Sequence, residues 1–188
     1  LPIGKKEIGE MKDFQSYATK DGEHYRKTCC DSLERFEFEI VHPKGFCVPD
    51  CGVDIDIVAR NKYGLEFMIE CKGGYGRGKK PGGFRSSDNV RKAIASAYCL
   101  SRSETHTGLQ YTPLLVMTPY MTKIDSVNWN QLSVVQTIVM IDIIDDRDST
   151  RLKLWQKADY SYLHGHIAQY PSVTWVVQNN PHWAMQVV

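Results

Sequence analysis

The chain has 188 residues, 42% hydrophobic, 11% aromatic and 24% charged, the balance of one globular domain rather than of a disordered or collagen-like chain. Lysine and arginine number 23 against 22 acids, a formal net charge of +1, which excludes a histone-like coat of positive charge and an acidic tail protein but leaves room for a local basic surface. The longest apolar runs, 113–117 and 138–144, fall far short of the ~18–20 residues of a membrane span.

No charged-then-apolar signal segment opens the sequence, and a chain of this length needs no disulfide staple. Cys29, Cys30, Cys47, Cys51, Cys71 and Cys99 therefore read as free thiols of a cytoplasmic protein. A single domain, 1–188, is expected, with a core over about 22–145 and a C-terminal extension over 146–188.

In chain order, residues 5–20 are polar and read as helical, and a second helix is expected from Glu23 to Leu33 after Asp21-Gly22. Arg35–His42 alternates, with Phe36, Phe38 and Ile40 on one side and Glu37, Glu39 and Val41 on the other; this is a strand signal, ended by Pro43-Lys44-Gly45. Residues 46–52 read as a loop. Val53–Arg60 and Leu65–Lys72 flank the turn Asn61-Lys62-Tyr63-Gly64, the pattern of a β-hairpin. Ser86-Ser87-Asp88 caps a helix over Asn89–Ser101, whose Ala93, Ala95 and Ala97 suit close packing. Pro113–Met117 and Ile138–Ile144 read as apolar strands, with a helix near 125–136 between them. The expected class is therefore mixed α/β, with a partly antiparallel central sheet flanked by helices.

Alternation across the hairpin carries the chemistry. Asp54 and Asp56 share one face of the first strand, and Glu66, Met68, Glu70 and Lys72 share one face of the second. Folding the hairpin is expected to bring Asp54, Asp56, Glu70 and Lys72 together. A half-buried hairpin with a solvated, weakly paired polar side is the plain alternative. Asp is depleted in strands, yet two interrupt an apolar run, and the second strand ends in an acid-x-Lys triplet followed by a basic, glycine-rich loop.

Gly52-Val53-Asp54-Ile55-Asp56-Ile57-Val58-Ala59, then Glu70-Cys71-Lys72 after thirteen residues beyond Asp56, resembles the PD-(D/E)xK nuclease superfamily, most closely its archaeal junction-resolvase and methyl-directed type IV restriction branches. The resemblance spans about residues 22–120. It implies a restriction-endonuclease-like αβββαβ core and a metal-dependent DNA endonuclease of restriction or repair and recombination type. It further implies that an Asp of the second strand and the Glu of the triplet bind a divalent cation. Asp56 fits best, Asp54 is the second choice or a second ligand, and Glu23 is a candidate for the extra acid some members carry on their first helix.

Mg²⁺, or Mn²⁺ in its place, suits such oxygen ligands and keeps several waters; the Cys71 carbonyl stands between the two triplet side chains as a further donor. Lys72, beside carboxylates, is expected to stay protonated and to hold the attacking water or the developing oxyanion. A homodimer would supply two sites for two strands.

Residues 60–92 hold nine basic residues and three acids, +6, which leaves −5 for the rest of the chain. Arg77, Lys79, Lys80, Arg85, Arg91 and Lys92 are the expected DNA contacts, because glycines of the 73–83 loop permit close backbone approach to phosphates. Gly78-Lys79-Lys80 lacks the Ser/Thr of a nucleotide-binding P-loop. Cys47 and Cys51 have no second clean pair to close a zinc site. Trp155, Tyr160, Tyr162, Tyr170, Trp175 and Trp183 read as core or interface ahead of base-stacking residues. The other functional class is a non-catalytic DNA-binding or assembly module on the same fold.

Overall fold

A computed structural model of the chain describes residues 5–73, 82–100, 102–103, 114–123, 126–133, 138–143, 152–153 and 155–157. The first element is one helix, α1 (Lys5–Arg35), where the sequence suggests two. Gly22 lies inside it without a positive φ, so glycine here only weakens the helix and does not break it. Tyr25, Cys29 and Leu33 recur every four residues and are buried together, one apolar stripe facing the sheet.

The end of α1 explains why the following strand starts later than alternation predicts. Glu37 N–H donates to the Glu34 carbonyl at 2.9 Å and Phe38 N–H to the Leu33 carbonyl at 3.1 Å, with Glu37 at φ 66°. This is a Schellman termination with glutamate where glycine is usual. The strand β1 is consequently only Glu39–His42.

The remaining strands are β2 (Phe46–Val48), β3 (Val53–Ile55), β4 (Ile57–Arg60), β5 (Glu66–Cys71), β6 (Leu114–Thr118) and β7 (Ile138–Asp142). Residues 46–48, expected as loop, pair with β3 in a two-stranded sheet. The other five strands form a mixed sheet in the order β1-β4-β5-β6-β7, antiparallel from β1 to β5 and parallel from β5 to β7. Helix α2 (Ser87–Leu100) precedes β6 and α3 (Val127–Ser133) precedes β7. This is the mixed α/β class expected.

The hairpin between β4 and β5 is set by Asn61. Its buried side chain accepts the N–H groups of Tyr63 and Leu65, each at 3.0 Å, and Gly64 closes the turn at φ 81°, where glycine carries no steric cost. Arg60 bridges Glu39 at 3.0 Å and Glu66 at 2.6 Å, so this cation is spent across three adjacent strands.

Alternation then sorts the core into two layers. Ile57, Ala59, Phe67, Ile69, Leu115 and Met117 pack with the α1 stripe. Val58, Met68, Leu114 and Val116 pack with Val90, Ala93 and Ala97 of α2 and with Trp129 and Leu132 of α3. Leu152 and Trp155 belong to the first layer. Trp155 stacks edge-on to Phe67 at 5.6 Å, its carbonyl accepts Asn61 Nδ2 at 2.9 Å, and Gln156 Nε2 donates to the Glu37 carbonyl at 2.8 Å. Trp155, expected in the core or at an interface, is thus buried in the core, beyond the expected core limit of 145; the other C-terminal aromatics named above lie outside the described residues.

A non-glycine residue in the left-handed region costs ~1–2 kcal/mol, partly offset by the greater unfolded-state entropy of glycine. Because Glu37 is exposed and the partner of Gln156 is its main chain, Glu37→Gly is expected to stabilise by up to about 1 kcal/mol. Glu37→Val should destabilise, and urea unfolding midpoints of the two variants check the pair.

Candidate active site at the end of strand β5

The expected strand Val53–Arg60 is broken in two, and the break is Asp56. Ile55 packs in the α2 layer and Ile57 in the α1 layer, whereas strict alternation would put both on one face with Asp56 opposite. Instead β3 leaves to pair with β2, and β4 begins one residue later. The Asp56 carboxylate turns to β5, where Oδ2 accepts the Cys71 N–H at 2.7 Å. The ladder ends at Ile57↔Ile69, so one step further the register sets Asp56 opposite Glu70.

Glu70 is only 1% exposed and is ion-paired through Oε2 with Lys72 Nζ. A carboxylate taken this far from water is tolerated only with a compensating cation. Lys72 is itself fixed by its main chain, whose N–H donates to the Met117 carbonyl of β6 at 3.0 Å. The next residue must be glycine: a Cβ at Gly73 would lie inside the Tyr25 ring, so α1 presses directly on the strand end.

Cys71, between the two charged residues, points to the opposite layer and packs on the α1 core. The hydrogen bond with Cys29 and then burial hold its thiol well above the ordinary range. The side chain is therefore a neutral core group, and only the Cys71 carbonyl remains as a donor toward a cation. Burial, ahead of the neighbouring Cys29, raises the Cys30 thiol to about 11.

Of the expected constellation, the structure gathers Asp56, Glu70, Lys72 and the Cys71 main chain. Asp54 is exposed in β3, opposite Cys47, and its hydrogen bond raises the Cys47 thiol; the β-strand break separates its role from that of Asp56. Glu23 is exposed on α1, two positions before Tyr25. Among the described residues no group of three or more His, Cys, Asp or Glu side chains is placed to hold a metal ion. A hard cation would accordingly rest on two carboxylates, one carbonyl and water. That all-oxygen set fits Mg²⁺, which retains waters readily.

The expected phosphate contacts divide. Arg77, Lys79 and Lys80 lie outside the described residues. Lys92 pairs with Asp88 at 2.7 Å along α2, and Arg91 is exposed. The hydrogen bond from Lys92 holds the Asp88 carboxyl below its usual range, against some desolvation, and Lys92, Arg91 and Lys72 add to that pull by charge. The start of α2 thus shares the electrostatic field of Lys72. Arg85 lies over the Tyr120 ring, 4.9 Å from its centroid.

Tyr120 and Asn128 carry no sequence motif. Tyr120 follows β6 at the carboxyl end of a parallel strand pair, the end where ligands of open α/β sheets gather; that rule could have singled it out. Asn128 accepts Ser87 Oγ at 2.8 Å, a contact no spacing foretells. Comparison with protein-family models, curated proteins and solved structures finds no match to this chain.

Removing the cation should expose the cost of burying Glu70. In metal-free buffer at neutral pH, Lys72→Met is expected to lose about 3–5 kcal/mol of stability, and Glu70→Gln combined with Lys72→Met should be more stable than Lys72→Met alone. Denaturant titrations of the three proteins test this, and a double variant no better than the single one counts against the buried pair.

A second expectation concerns alkaline pH. Between the ordinary thiol value of 9.0 and about 11 the unfolded chain has lost the Cys30 proton while the folded chain keeps it. The folded state then binds more protons, so this contribution is complete below 9.0 and lost as pH rises to about 11. Cys71 acts in the same direction. The fall in unfolding midpoint across that window should be shallower in Cys30→Ser.

Proposed function

We propose that this chain is a Mg²⁺-dependent DNA endonuclease on a restriction-endonuclease-like αβββαβ core. The observation that carries the reading is the end of β5, where a buried Glu70 and a mostly buried Lys72 flank the peptide that hydrogen-bonds Asp56. Support also comes from the element order: α1, then the antiparallel strands β1, β4 and β5, then α2 and the parallel β6. The small β2–β3 sheet is an insertion into that order.

Asp56 and Glu70 would hold the cation, with the Cys71 carbonyl as a third oxygen. A bound Mg²⁺ would supply a water of lowered pKa and offset the charge growing on the phosphate. The Cys71 N–H keeps one Asp56 oxygen directed at the strand end, which leaves the other for ligation. Lys72, held against Glu70, would turn its ammonium to the scissile phosphate and stabilise the oxyanion. The exposed Arg85 and Arg91, with Arg77, Lys79 and Lys80 of the glycine-rich loop, would bind the backbone as point charges. In this reading the protein works in the cytoplasm as a homodimer, each copy cutting one strand. Among the described residues no helix is long and apolar enough to cross a membrane.

A non-catalytic DNA-binding or assembly module is the second reading, favoured by the Glu70–Lys72 pair itself, since such a pair also serves a purely structural end. Incubation of supercoiled and linear DNA with Mg²⁺ or Mn²⁺ separates the two. Metal-dependent nicking is expected, reduced at least about a hundredfold in Asp56→Asn, Glu70→Gln and Lys72→Met. Asp56→Asn retains an oxygen for the Cys71 N–H, so its loss of activity would not be a folding defect. DNA binding without cutting, unchanged by all three substitutions, would overturn the nuclease reading.

A further inference from the structure

The turn that precedes α2 is held more firmly than a connection requires. Gly83 adopts φ 54°, and a Cβ there would collide with Thr118 Oγ1 and stand 2.9 Å from the Tyr120 carbonyl. Phe84 N–H donates to that same carbonyl at 2.9 Å, while the Phe84 side chain is fully buried against the α2 layer. Asn89 Nδ2 donates to the Gly83 carbonyl at 2.8 Å, and Asn128 is fixed by Ser87 beneath the turn. The residue so positioned is Arg85, which is exposed yet has its guanidinium over Tyr120 at 4.9 Å.

An arginine that served only as a mobile phosphate contact would need none of this. A planar guanidinium held against an aromatic ring presents its outer face as a flat, cationic surface, which is what an unpaired nucleobase stacks on. The stack also sits beside the proposed catalytic strand. Met117 receives the Lys72 N–H, and Tyr120 lies three residues further along the same segment, at the carboxyl end of the parallel pair. Base pairs of an intact duplex hide their faces from such a surface, whereas a flap, gap or single strand offers them.

We propose that Arg85, held over Tyr120, is a stacking shelf for an unpaired nucleobase next to the scissile phosphate, so that the enzyme prefers DNA with unpaired nucleotides at the cleavage site. This rests on the nuclease reading and narrows its substrate class. Arg85 and Tyr120 are specificity residues and take no part in the bond-breaking step.

The full chain is tested with one DNA sequence in three forms: duplex, 5′-flap and single strand, each carrying 2-aminopurine at the nucleotide beside the junction. Affinity is measured with Ca²⁺ in place of Mg²⁺, and cleavage with Mg²⁺. Wild type should bind and cut the flap at least about tenfold better than the duplex, with quenching of 2-aminopurine on binding. Arg85→Lys keeps the charge but loses the plane; it should lose most of that preference and the quenching. Tyr120→Leu should behave likewise. Thermal midpoints of both variants show whether the turn itself has been disturbed, and Tyr120→Phe, which keeps the ring, should restore the preference.

Flap preference and quenching unchanged in Arg85→Lys and Tyr120→Leu overturn the shelf, as does a wild type that treats duplex and flap alike. Either result leaves metal-dependent cutting intact. A wild type that neither binds nor cuts any of the DNA forms overturns the nuclease reading instead, and the shelf with it.

Discussion

Strand β5 is the constraint on which the rest depends. It is the third of five strands, antiparallel to β4 and parallel to β6, so both its faces are covered and each residue has an assigned layer. Phe67, Ile69 and Cys71 are directed to α1 and the C-terminal Trp155, while Met68 is directed to α2. Glu70 falls by the same alternation on the α2 face, in a position where solvent is excluded. The carboxylate can be there only because Lys72, the next residue on that face, brings its ammonium to it. A one-residue slip of register would put Cys71 in place of the acid and bury both charges against α1.

The two sides of the strand end do different work. On the α1 side, Tyr25 covers Gly73, and the thiols of Cys29 and Cys71 share a hydrogen bond in a dry environment. That packing anchors the main chain at 71–73 without offering a reactive group, since the hydrogen bond with Cys29 and then burial hold the Cys71 thiol well above its ordinary range. On the other side, the polar atoms collect: the Asp56 carboxylate, the Glu70–Lys72 pair, the first turn of α2 and the Arg85–Tyr120 stack. Rigid packing behind and polar groups in front is the arrangement that positions side chains within the tolerances catalysis needs.

Charge follows the same division. The stretch 60–92 has an excess of basic residues by count, but the fold consumes several of them. Arg60 is shared by Glu39 and Glu66, Lys72 by Glu70, and Lys92 by Asp88. The outward positive surface among the described residues of this stretch is thus narrower than composition suggests, and Arg85 and Arg91 are its exposed arginines.

Much of this was legible in the sequence, because period and turn chemistry are local. The hairpin at Asn61–Gly64, the alternation of β5, the helix α2 and the apolar strands β6 and β7 all follow from residues within a few positions of one another, although α2 starts at Ser87, inside the stretch expected to cap it. So does the placement of Glu70 and Lys72 on one face. What lay beyond reach was decided by distant contacts. Glutamate at a left-handed helix end gives no composition signal, so alternation alone starts β1 too early. Pairing of β3 with β2 broke a run that reads as one strand, and that break sent Asp56 to Cys71 while Asp54 met Cys47. Trp155 joined the core through Asn61, ninety-four positions away, and Tyr120 met Arg85 only because Gly83 folds onto the end of β6. Local spacing determined which side chains could share a face; which of them share a site was decided by strand pairing and helix docking, interactions whose partners are far apart in the chain.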